Sequence, residues 1–167
     1  MTEIFLNLLK FLPPETAHKL TILLLKININ KSKKIFDDPI LNQRLLGLDF
    51  SNPLGLAAGF DKNADVIIPM LNLGLGFVEV GTITPKPQKG NNKPRVFRLK
   101  EDLAIINHLG FNNTGCLKVL DKLKVLNSDP SFQGVVGINI GKNKNSNNSI
   151  DDYLFCLEKI GGYGNYI

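Results

Sequence analysis

Along the chain the apolar positions change period once, and that change divides it into two parts. Ile4, Phe5, Leu8, Leu9 and Leu12 recur at helical spacing until Pro13 and Pro14 interrupt them. Pro14 is placed to open a second helix, in which Leu20, Leu23, Leu24 and Ile27 share one face and Lys19 and Lys26 lie off it. Residues 31–43 are polar and broken by Pro39, which predicts a linker. From residue 45 the apolar runs become short and continuous. Residues 45–50 and 52–58 predict two strands joined through Ser51 and Asn52, and residues 64–73, closed by Gly74, predict a helix. Residues 77–84 (FVEVGTIT) predict a buried strand whose Glu79 needs a buried partner such as Lys62 or an arginine. A long excursion rich in Pro, Lys and Arg fills residues 85–107, with an alternating stretch at 95–99 that fits a short strand. A helix at 117–126 and a strand at 135–140 follow. Ser149 then reads as the N-cap of a helix at 151–160, and Tyr166 and Ile167 begin another strand.

Repeated strand–helix units imply an α/β fold with a parallel sheet and right-handed crossovers. A closed (β/α)₈ barrel takes roughly 250 residues. The chain has 167, so on length alone a doubly wound open sheet fits better. The organisation is a helical pair at 1–30, a linker at 31–44 and an α/β domain at 45–167.

Composition adds a few bounds. Hydrophobic and charged fractions of 43% and 21% are globular values. The net charge of +5, with lysines gathered at Lys31, Lys33 and Lys34, suits anionic lipid or nucleic acid, or else a solvated face. Cys116 and Cys156 have neither CxxC spacing nor a His partner nearby, so they read as small buried hydrophobes in a reducing compartment. No apolar run reaches membrane-spanning length and no signal peptide is visible. The chain is expected to be cytosolic or attached to a membrane from one side. The leucine-rich helical pair either lies in a membrane interface or packs on the domain that follows it.

The candidate site is NPLGLAAGFDK, residues 52–62: a buried strand, a small-residue turn, then Asp61 and Lys62 at the tip. Charged tips after parallel strands are where α/β folds place their chemistry, although an ordinary turn with a solvated lysine has the same pattern.

Together with GFVEVGTITPKPQKGNNKPRVFRL, INHLGFNNTG and GINIGKNK, this stretch closely resembles the dihydroorotate dehydrogenase family in its class 2, quinone-dependent form. The resemblance runs from about residue 3 to residue 167 and includes PPETAHKL in the second helix. It implies an incomplete (β/α)₈ barrel, about the first three βα units, behind a two-helix membrane-docking extension. It implies FMN as cofactor and oxidation of dihydroorotate to orotate in pyrimidine synthesis. The electron acceptor would be a quinone, in a peripheral protein on the cytoplasmic side of a bacterial membrane, with no nucleic-acid partner. Ala58, Gly59, Phe60, Asp61, Lys62, Thr82 and Asn139 would line the flavin. Lys62 and the run Asn107, His108, Leu109, Gly110 and Phe111 would meet the substrate, with His108 standing where the family usually has arginine. His18 and Arg98 match polar residues at the quinone head, and no metal is implied. The family's proton-accepting serine falls beyond residue 167, so the expectation is a truncated or split member, inactive alone, with a second chain able to supply the rest of the barrel. A non-catalytic remnant or an anchoring module is the alternative.

Overall fold

The computed structural model describes residues 9–27 and 38–167. Most of the first predicted helix, and the Lys31, Lys33 and Lys34 cluster, lie outside the described residues. Leu9, Lys10 and Phe11 are helical, and helix α1, Pro14–Ile27, follows the two prolines as their fixed backbone angle favours.

The domain begins with a hairpin of β1, Gln43–Leu45, and β2, Leu48–Phe50, two residues earlier than the predicted boundary. The turn lies at Leu46 and Gly47, both at positive φ (50° and 81°), and not at Ser51 and Asn52. Asn52 has another task. Buried, it accepts from Leu54 N at 2.9 Å and donates to Gly74 O at 3.0 Å, which bends the chain into β3, Gly55–Leu56.

Three parallel strands carry the fold, in the order β3, β4 (Phe77–Ile83), β7 (Val135–Ile140). Tyr166 adds a parallel bridge to Gly137, which is the strand start predicted there. The sheet is open, not a closed barrel. Helices α2 (Ile67–Asn72), α3 (Cys116–Asn127) and α4 (Ser149–Ile160) cover the face formed by Val78, Val80, Ile83, Val136 and Ile138. Both cysteines are free and buried in that core, and the Cys156 thiol donates to Ile83 O at 4.0 Å. The excursion folds into a second hairpin of β5, Val96–Leu99, and β6, Ala104–Asn107.

Two local readings are corrected. The first helix of the domain starts at Ile67, not at residue 64, because Ala64 sits at φ 54° and Asp61 holds the amides of Asn63, Asp65 and Val66. At the last helix Asn148, not Ser149, is the cap, accepting from Ile150 N at 3.0 Å, while Asp152 accepts instead from Asn143 N at 2.8 Å. Asn and Ser serve equally well as caps, so the choice is made by the approach of the preceding loop.

Candidate functional site

The tips of the three parallel strands are joined through glycine backbone. Gly59 N donates to Gly81 O at 2.8 Å, Gly81 N donates to Asp61 O at 2.9 Å, and Gly141 N donates to Ile83 O at 2.8 Å. Gly81 lies at φ 116°, and a Cβ there would stand 2.3 Å from the carbonyl oxygen of Asn139. A Cβ on Gly141 would fall 2.7 Å from Thr82 Cγ2 and 3.5 Å from the Phe111 ring. The sequence thus spends glycine where strand tips must nearly touch.

That approach brings polar side chains together. Thr82 Oγ1 donates to Asn139 Oδ1 at 2.6 Å, and Asn139 Nδ2 donates to Glu79 Oε1 at 3.1 Å. Lys62 turns back so that its ammonium donates to Gly59 O. Burial lowers the pKa of Lys62, with Arg95 adding in the same direction and Glu15 and Asp61 opposing it. Above Gly59, also at positive φ (109°), a Cβ would meet nothing within 4 Å, so the small-residue turn opens onto free space.

Asp61 plays a different part from the one its position suggests. It is 1% exposed, and its carboxylate takes the amides of Asp65 and Val66 at 2.8 Å each. Burial raises its pKa, against the lowering effect of those hydrogen bonds. Toward the open space this residue offers backbone, not charge.

Asn113 moors the amide-rich loop, donating to Thr84 Oγ1 at 2.8 Å and to Phe111 O at 2.7 Å. Gln88 Nε2 donates to Gly110 O and Phe111 O at 3.0 and 3.2 Å, so the loop's last residues lie beside the β4 and β7 tips. Asn107 and His108 are exposed at the end of the second hairpin. Asn107 accepts from Leu109 N at 3.4 Å, and the His108 ring stacks on Phe97 at 5.8 Å. Lys62, Thr82, Asn139 and Phe111 therefore cluster around the joined tips, whereas Asn107 and His108 stand at its rim.

Helix α1 is clamped across this end by charge. Glu15 takes Arg95 Nη2 at 2.7 Å and Lys93 at 3.7 Å, and Asp65 takes Lys26 and Lys122 at 2.8 Å each. Between the clamps His18 Nε2 donates to Phe60 O at 2.7 Å, and its ring meets Phe60 edge-on at 5.2 Å. His18, Phe60, Lys62 and Asn112 line a cavity of about 200 Å³ under the helix. Arg98 donates to the carbonyls of Lys10 and Leu12 at 2.8 and 2.7 Å, capping the helix that ends at Phe11. Arg95 and Asn113 are the residues that sequence reading missed, and at Glu79 it missed the partners. Glu79 itself stands out in the sequence as an acid in an apolar strand that needs a partner. Its partners are Asn139 and Tyr166, not Lys62 or an arginine.

A profile described as dihydroorotate dehydrogenase matches residues 40–167. The dihydroorotate dehydrogenase (quinone) of Bartonella tribocorum is 53% identical over 155 residues, covering 93% of this chain and 42% of that protein. That of Nitrosomonas eutropha is 46% identical over 166 residues, covering 96% and 46%. The crystal structure of the Eimeria tenella enzyme in complex with ferulenol superposes with a TM-score of 0.84 at 45% identity, covering 92% of this chain and 42% of that one. The chain thus spans less than half the length of the relatives it matches.

The clamp chemistry predicts how α1 docking responds to acid. Hydrogen bonding from Arg95 holds Glu15 below its ordinary 4.5. Asp65 lies below its ordinary 3.8 because Lys122 and Lys26 outweigh burial, the largest single effect, which raises it. Burial holds His18 below 6.5, so protonating it also opposes docking. All three shifts act in one direction. Docking is strongest above 6.5, weakens as His18 protonates, and is lost as pH falls through the depressed carboxylate values. Amide exchange across α1 should show protection falling on acidification, and Glu15→Gln should lower protection at neutral pH.

Proposed function

The chain belongs to the dihydroorotate dehydrogenase family, and from that premise we propose that it forms the flavin-facing front of a quinone-dependent enzyme converting dihydroorotate to orotate. The observation that carries this reading is the joint at Gly59, Gly81 and Gly141, where Thr82 and Asn139 meet at 2.6 Å beside Lys62. The donor set fits FMN. Above the Ala58–Gly59 turn lies the open space a flat ring requires, with a hydroxyl, a carboxamide and an ammonium at its edge. The chemistry that bound FMN would supply is two-electron oxidation of the substrate coupled to reduction of a quinone.

The chain's own residues bind and orient. Thr82 and Asn139 hold the ring edge, and Ala58, Gly59, Phe60 and Asp61 form its backbone floor. Lys62 supplies a positive charge where negative charge accumulates during oxidation. Neutral amides of the loop from Asn107 to Phe111 suit the alternating donors and acceptors of a dihydropyrimidine. His108 takes the place of the family's usual arginine at that rim. The quinone head lies near His18, whose cavity reaches Lys62. Arg98, committed to helix carbonyls, acts there mainly by holding the helix pair in place.

We propose further that residues 1–167 by themselves do not turn over substrate. The sheet of three strands is open, and the family's proton-accepting serine lies in a segment outside these residues. A second segment completes the barrel. Co-expression with the C-terminal part of the Bartonella tribocorum relative tests this. The complex should retain FMN and reduce a short-chain quinone with dihydroorotate, and the chain alone should not. In the complex, Lys62→Met should lower kcat by about 10²-fold or more. A complex without FMN, or unchanged by Lys62→Met, would contradict the reading.

A peripheral membrane role, on the cytoplasmic face of a bacterial membrane, is supported by the apolar side chains that the described residues 9–27 leave exposed. Phe11, Leu23 and Ile27 are 87%, 53% and 71% exposed there. Among the described residues no helix is long and apolar enough to cross a membrane. The protein should float with anionic vesicles, and Phe11→Ser with Ile27→Ser should weaken partitioning by about tenfold or more. Flotation unaffected by the double change would remove this face from membrane contact.

A further inference from the structure

Glu79 lies on a strand whose alternate residues Val78 and Val80 are fully buried in the core. It projects from the opposite face, where its carboxylate takes two neutral donors, Asn139 Nδ2 at 3.1 Å and the Tyr166 hydroxyl at 3.2 Å. The tyrosine is held close by Gly137, where any Cβ would stand 2.2 Å from the Tyr166 ring.

A carboxylate accepts hydrogen bonds and cannot donate them. Facing Glu79, the Asn139 carboxamide must therefore present its NH₂ group and turn Oδ1 the other way. Oδ1 is then available to the Thr82 hydroxyl, which donates to it at 2.6 Å. With its proton committed there, the Thr82 oxygen can offer only lone pairs to anything above it. Two groups whose orientation is otherwise free, an amide that can flip and a hydroxyl that can rotate, are set by one acid.

We propose that Glu79 is a positioning residue that fixes the hydrogen-bond polarity of the flavin site. It makes Thr82 an acceptor for a ring N–H and leaves the second N–H of Asn139 to a ring carbonyl or imine nitrogen. Tyr166 anchors the free side of the Glu79 carboxylate, so the strand start at residue 166 contributes to the same arrangement. This inference rests on the flavin reading given above. It adds a residue that touches neither ring nor substrate and acts through Asn139.

The test uses the co-expressed complex, with FMN affinity read by flavin fluorescence and the Asn139 side-chain amide read by NMR. Glu79→Met and Glu79→Leu remove the acceptor at similar volume, and whichever variant keeps the wild-type melting profile is used. FMN binding should weaken about tenfold, the effect of one lost positioned hydrogen bond, and the hydrogen-bonded Asn139 amide proton should move upfield. Glu79→Gln should restore affinity to within about threefold, because its Oε1 can still face Asn139 while the Tyr166 hydroxyl turns acceptor. Wild-type affinity in the apolar variant would overturn the proposal. So would a Glu79→Gln variant as weak as the apolar one, which would assign the effect to charge. Failure of the wild-type complex to retain FMN would instead sink the flavin reading itself.

Discussion

Gly81 can carry no side chain, and the site depends on that. Its amide and carbonyl tie the turn after β3 to the tip of β4, through Asp61 O at 2.9 Å and Gly59 N at 2.8 Å. Its missing Cβ also lets the Asn139 carbonyl of β7 approach to what would be 2.3 Å from that atom. Three strand tips are thereby held closer than any other residue would permit. The polar groups one position along each strand, Thr82 beside Gly81 and Lys62 beside Asp61, are delivered to the same space. A lysine, a hydroxyl and a carboxamide converge because the backbones beneath them do.

Much of this was legible in the chain, for reasons that differ by element. The strands at 77–83 and 135–140 were legible because each is a short run with its core-facing positions buried and apolar, too short for a helix. The helix beginning at Ile67 was drawn three residues too long, because apolar periodicity does not reveal that Asp61 has captured the amides of its first turn. The hairpin turn was misplaced for a similar reason. Ser51 and Asn52 look like turn formers, yet Asn52 bonds across to Gly74, and Leu46 takes the positive φ instead.

The candidate site divides along the same line. Lys62, Thr82 and Asn139 could be named through the family resemblance, and the fold places Thr82 and Asn139 in hydrogen-bond contact near the ends of β4 and β7. The roles of Asp61 and Arg98 could not be named in that way, since each is set by a partner distant along the chain or by backbone. Arg98 reaches carbonyls 86 and 88 positions away, and no local pattern signals that. Glu79 lay between these cases. Its cost in an apolar strand was visible, while its partners required β7 and residue 166 to be in place. Helix α1 shows the same economy: Glu15 and Lys26 pair with Arg95 and Asp65 of the domain, while Leu23 and Ile27 are exposed.

The most direct check of a flavin-holding site at the joined strand tips is a chemical-shift map of the labelled chain, within its complex with the C-terminal segment, as FMN is added back to the flavin-stripped complex. The account expects the largest changes at Gly59, Lys62, Thr82, Asn139 and Phe111, with Gly47, Asn127 and Gly164, at the other ends of the strands, unmoved. Changes confined to those distant positions, or to the loop at Lys86 and Lys144, would contradict it.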